Sequence, residues 1–89
     1  MQGEGIPPRV LLADHRALGR VVRRVRVLRS VSQEELGFRA GLHRNYVGAI
    51  ERGEINPTFR TLLRLSGGLA VPLSGLILLY ERHAADAER

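Results

Sequence analysis

The sequence predicts an all-α fold of five helices, and three observations carry that expectation. Two short segments, Ser32–Gly41 and His43–Gly53, each begin at a capping residue, end at a glycine and are separated by a turn of only a few residues. Ahead of them, Leu18, Val21, Val22, Val25 and Leu28 recur at three- and four-residue spacing, the period of an amphipathic helix. Behind them, Pro57-Thr58 and Val71-Pro72 each punctuate the chain before an apolar run.

In chain order, Gly3, Gly5 and Pro7-Pro8 mark residues 1–13 as a flexible arm, and the domain proper is expected over 14–84, with a frayed tail at 85–89. Asp14 is the expected N-cap of a first helix reaching about Arg29, with Arg16, Arg20, Arg23, Arg24 and Arg29 on its solvated side. Ser32 caps the second helix and Glu35 completes a capping box, with Val31 as the hydrophobic staple. Gly41 supplies the left-handed residue that closes this helix, and Leu42 fills the angle to the next. In the third helix Val47 and Ile50 face inward while polar side chains lead at its start, where His43 is a cap. The fourth helix is expected from Pro57-Thr58 to about Leu69, carrying Phe59, Leu62, Leu63 and Leu65 to the core. Continuing through Gly67-Gly68 makes sense only if close packing there requires small residues. The fifth, from Leu73 to about Ala84, has more apolar surface than one face can bury. The surplus at Leu73, Leu76, Ile77, Leu79 and Tyr80 is assigned to a homodimer contact, with cover by Val10 to Leu12 as the alternative.

Two short helices joined by a glycine-containing turn form a helix-turn-helix, whose second helix enters a DNA major groove. Charge agrees with that partner. The net charge is +5 and all fourteen basic residues are arginine. The arginines crowd between residues 15 and 64, where the acids are Glu34, Glu35, Glu51 and Glu54. Other classes fare worse. There is no cysteine, so disulfides and thiolate metal sites are excluded. His15, His43 and His83 lack metal-ligand spacing, and no nucleophile-and-base signature or phosphate loop occurs, so neither an enzyme nor a bound cofactor is expected. No apolar run approaches the ~20 residues of a membrane span, and the start lacks a signal-peptide pattern. A soluble, cytoplasmic protein is expected.

Across residues 15–80 the chain resembles the phage repressor and Cro-like, XRE-type helix-turn-helix family, which implies a lambda-repressor-like DNA-binding domain. The matching pieces are Leu18-Gly19, Val25-Arg26, Ser32-Gln33-Glu34-Glu35-Leu36, Ala40-Gly41-Leu42, Tyr46-Val47, Ile50-Glu51-Arg52-Gly53, Asn56-Pro57-Thr58 and Leu69-Ala70-Val71. Through Leu42 to Val47 and Glu51-Arg52-Gly53 it is similar to restriction-modification controller proteins.

The resemblance implies that Ser32 and Gln33 meet a phosphate and that Gln33 braces the start of the recognition helix. It implies that Arg44, Asn45 and Ala49 face bases, Arg44 suiting a guanine and Asn45 an adenine or a phosphate. Gly48 has no side chain and Ala49 offers only a methyl, so base reading concentrates at the helix start. Tyr46 divides between core and phosphate contact. His43, Arg52 and the loop Asn56 to Thr58 flank the DNA backbone, and Arg26 pairs internally with Glu51. The expected function is sequence-specific double-stranded DNA binding by a homodimer that regulates transcription. The alternative is an antitoxin-type module whose fifth helix binds a partner protein.

Overall fold

A computed structural model describes residues 8–87, with side chains over 14–85. Five helices follow in order, α1 Pro8–Leu28, α2 Gln33–Ala40, α3 Arg44–Glu51, α4 Phe59–Leu69 and α5 Leu73–Ala87. Helix α1 packs against α3 on one flank and α5 on the other, while α2 is clasped between α3 and α4. Val22, Leu36, Val47, Ile50, Leu65, Leu69 and Leu76, one or more from every helix, are the largest fully buried side chains among the described residues.

Several chain reversals use the same device. After α1, Ser30 takes φ 58°, its N–H bonds to Val27 O (2.9 Å) and the Val31 N–H reaches back to Arg26 O (3.1 Å). This left-handed closure satisfies the last carbonyls and swings Val31 into the core. Gly53 after α3 (φ 77°) and Ala70 after α4 (φ 59°) make the equivalent pair of bonds. Only one of these three positions holds the glycine that the conformation favours. Ser30 and Ala70 carry a Cβ where it crowds the following carbonyl.

Close backbone approach sets the helix spacing. A Cβ on Gly19 would lie 2.3 Å from Ile50 O and 2.5 Å from Glu51 O, so α1 rests directly on the last turn of α3. Gly68 serves α4 similarly: a Cβ there would meet Leu36 Cδ1 at 2.8 Å, which is why the helix continues through its glycine pair to Leu69.

The structure departs from the sequence reading at several points. Helix α1 starts at Pro8, a residue suited to a first turn because it lacks an N–H to satisfy, so residues 8–13 are helical, not arm. Asp14 is therefore no cap; its carboxylate accepts a 2.6 Å hydrogen bond from the Tyr80 hydroxyl. Residues 1–7 and 88–89 lie outside the described residues, and α5 extends through 85–87 where a frayed tail was expected. Leu28, Phe59 and Leu63 were assigned to the core, yet they are 76%, 67% and 45% exposed. Leu28 and Phe59 lie in the last and first turns of their helices, and Leu63 lies mid-helix on the face of α4 opposite the buried Thr61 and Leu65. Glu35 is held by Arg39 (2.6 Å) and does not complete a capping box, although Ser32 Oγ accepts from the Glu35 N–H at 3.0 Å.

Among the described residues no single helix is long and apolar enough to cross a membrane, and α4 and α5 meet at a bend of 101°.

Two substitutions separate these effects in urea or thermal unfolding. Gly19→Ala forces α1 off α3 and is expected to cost about 1–3 kcal/mol. Ala70→Gly relieves the left-handed position and should stabilise by about 1 kcal/mol.

Candidate nucleic-acid interface

Local capping builds the site. Gly41 (φ 72°) closes α2, and Leu42, half-buried against the core, turns the chain toward α3. A Cβ on Gly37 would stand 2.4 Å from Leu42 O, so this turn lies flat on α2. His43 Nδ1 then accepts the Asn45 N–H at 3.0 Å and caps α3. The acceptor is a bare ring nitrogen, so the cap requires a neutral imidazole with its proton on Nε2. Val47 and Ile50 are buried beneath the helix. Arg44 and Asn45 stand exposed at its start, with Tyr46 half-buried beside the core and Ala49 half-exposed.

A four-way polar network fixes α3 from behind. Arg26 Nε donates to Glu51 Oε2 at 2.6 Å and its Nη2 to Oε1 at 3.1 Å, while Nη1 donates to Val31 O at 2.9 Å. Gln33 Nε2 donates to Glu51 Oε1 at 2.9 Å. The Arg26 and Glu51 side chains are only 12% and 3% exposed, so every bond acts in a weakly screening setting. Gln33 thus joins the first turn of α2 to the last turn of α3; the sequence reading had it bracing the start of α3. Gly48 keeps this route open, since a Cβ there would lie 3.1 Å from Arg52 Nη1 and 3.5 Å from Gln33 Oε1.

Around the presented end, the exposed Arg44 sits 3.9 Å from Glu34. Arg52 is engaged by Glu54 through Nε (2.8 Å) and Nη2 (3.2 Å). The hydrogen bond and opposite charge of Glu54 raise the Arg52 pKa, and the hydrogen bond from Arg52 lowers that of Glu54 below its ordinary 4.5. Any stability from this pair is therefore complete above pH 4.5 and fades as the pH falls through the lowered Glu54 value.

Arg16, Arg20 and Arg23, read from sequence as a solvated face, line a cleft of about 360 Å³ with Arg52 and Glu51. Their spacing on one helix face was the available signal. What the sequence lacked was the placement of α1 beside the end of α3. Thr58 Oγ1 caps α4 through the Thr61 N–H (3.1 Å), and the exposed Asn56 lies by Asp14, His15, Ile77 and Tyr80.

The dimer residues expected on α5 divide. Leu76 is completely buried within the single chain and belongs to its core, a correction that follows from its facing α1 and α4. Leu73, Ile77 and Tyr80 are half-buried, and Leu79 lies on a different flank, beside Leu28. Among the described residues no three His, Cys, Asp or Glu side chains cluster in a way that could hold a metal ion.

A short helix with a buried rear, exposed polar residues at its start and a second helix end-on to it defines a helix-turn-helix domain. The helix-turn-helix family profile matches residues 22–76, and the chain belongs to that family. It is 41% identical over 56 residues to the control protein C.SmaI of Serratia marcescens, covering 63% of this chain and 67% of that protein. It is 38% identical over 60 residues to the control protein C.BamHI of Bacillus amyloliquefaciens, covering 66% and 74%. The crystal structure of the restriction-modification controller protein C.AhdI from Aeromonas hydrophila superposes with a TM-score of 0.70 at 38% identity, covering 72% of this chain and 97% of that one.

Arg26→Ala leaves Glu51 buried without its cation and is expected to cost about 3–5 kcal/mol of unfolding free energy. Arg52→Ala removes only an exposed pair and should leave the melting temperature unchanged at neutral pH. Thermal melts of the two variants side by side make the comparison.

Proposed function

We propose that this chain is a sequence-specific, double-stranded DNA-binding transcriptional regulator that acts as a cytoplasmic homodimer, with no catalytic step and no cofactor. The observation that carries this reading is the start of α3, where Arg44 and Asn45 stand exposed over the buried Val47 and Ile50. A guanidinium and a carboxamide on adjacent residues can address base edges, Arg44 the O6 and N7 of a guanine and Asn45 an adenine. Membership in the helix-turn-helix family and the likeness to control proteins support the same function.

Backbone contacts would flank that reading head. Ser32 and Gln33 open α2, whose first free N–H groups suit a phosphate oxygen. Arg52, exchanging Glu54 for phosphate, and Arg16, Arg20 and Arg23 beside it would extend the contact along one strand. His43, Tyr46, Gly48 and Ala49 bring the surface of α3 close to the groove, while Asn56 and Thr58 act mainly through the shape of their loop.

We assign the dimer contact to the flank of α5 bearing Leu73, Ile77 and Tyr80. These residues stay partly uncovered in the single chain, and a domain of this size gains from burying them against a copy. A two-fold pair would offer its recognition helices to successive major grooves roughly 34 Å apart, and so to a pseudo-palindromic operator.

On single-base operator variants, Arg44→Ala should cost about 1–3 kcal/mol and flatten the preference at one base pair per half-site. Arg52→Ala should weaken all sequences alike and reduce the salt slope by about one. An unaltered base preference in the Arg44 variant would remove it from the reading head. In sedimentation equilibrium, Ile77→Arg should yield a folded monomer; a dimer that persists places the contact elsewhere.

A further inference from the structure

The flank of α1 that meets α5 carries a surface that DNA binding does not explain. Two adjoining clefts, of about 380 and 350 Å³, share Arg24 and Leu28. The first is completed by Arg20, Arg23 and Val27, the second by Val21, Val25, Leu79, Arg82 and His83. Val27, Leu28 and Leu79 are 56%, 76% and 40% exposed, so large apolar side chains meet water in a row. Arginines frame that row, and no described acidic side chain lines either cleft. Inside the second, His83 Nε2 is buried with no hydrogen-bond partner.

The geometry points to a docking groove for an acidic amphipathic segment of a different protein, its apolar side chains seated on Leu28 and Leu79 and its carboxylates on Arg24 and Arg82. Charge complementarity selects this occupant. A second copy brought in by a two-fold axis would set these arginines against their equivalents. A phosphate backbone would satisfy the arginines but leave the apolar row uncovered. The extent of the joined clefts fits a peptide better than a small anion. Gly19 and Arg26, which hold α3, lie on the other flank of α1; Arg20 and Arg23 border both surfaces, but the anchoring residues Arg24, Leu28, Leu79 and Arg82 are none of those assigned to DNA, so occupation of the groove does not depend on that function.

The test is fluorescence anisotropy of the full chain with a labelled amphipathic helix peptide, leucines at i, i+3, i+4 and i+7 and glutamates between, beside the same peptide with lysines for glutamates. The glutamate peptide should bind and the lysine peptide should not. Arg24→Glu with Arg82→Glu should weaken binding by about tenfold or more. The charge-matched pair Arg60→Glu with Arg64→Glu, on α4, should leave it nearly unchanged. Leu28→Ser changes an exposed side chain and keeps the fold, so it provides a second reading of the groove if the double variant unfolds; it should also weaken binding. Equal losses in both charge pairs, no loss with Leu28→Ser, or displacement of the peptide by an Arg44-dependent DNA duplex would overturn the proposal. So would self-association of the free chain that disappears with the Arg24 and Arg82 changes, which identifies a second copy. Groove-dependent binding to anionic phospholipid vesicles without peptide binding would assign the surface to a membrane and overturn it as well.

Discussion

The bidentate pair between Arg26 and Glu51 is the constraint on which the presented surface depends. Glu51 closes α3, Arg26 lies near the end of α1, and the same arginine holds the Val31 carbonyl at the corner into α2. With Gln33 adding a bond from α2, one carboxylate fixes three helices relative to one another. Buried ion pairs are weak sources of net stability because desolvating two charges is costly. Their geometry is demanding, though, and here it sets the direction in which Arg44 and Asn45 project. An apolar trio could fill the same space without fixing that direction.

Around that pair, glycines permit contacts that side chains would prevent. Gly19 brings α1 onto the last carbonyls of α3, and Gly37 lays the turn on α2. The domain is too small for a deep core, so it relies on close backbone packing and tightly closed helix ends to give rigidity. Ser30 and Ala70 keep left-handed conformations that glycine would hold with less strain. Both are imposed by the inward course of the residue that follows, Val31 buried and Val71 partly buried against the core.

The arginines of α1 serve two surfaces once the helix is placed. Arg16, Arg20 and Arg23 converge with Arg52 on the side of α3, while Arg24 joins Arg82 beside exposed leucines on the side of α5, with Arg20 and Arg23 on the border of both. A single basic run in the sequence thus supplies two surfaces of different chemistry. One is mainly cationic, its Glu51 already paired with Arg26, and suited to phosphates; the other is cationic and apolar together. Arg26, between them in the chain, belongs to neither because its charge is spent internally.

Local chemistry was enough to read much of this from the sequence. The caps at Ser32 and His43, the left-handed Gly41, and the inward spacing of Val47 and Ile50 are properties of neighbouring residues, and they locate the helix pair and its exposed start. Periodicity also named most of the core, but it failed at helix ends. Leu28 and Phe59 keep the period yet stay exposed, and Leu76, assigned to a subunit contact, is enclosed by its own chain. Helical spacing tells which side chains share a face and is silent on what that face meets. Only the packed arrangement of α1, α3 and α5 decided that Asp14 bonds to Tyr80, that three solvated arginines join Arg52, and that Gln33 reaches the far end of α3. Those outcomes depend on distances between residues remote in the chain, which the order of amino acids constrains only through the whole fold.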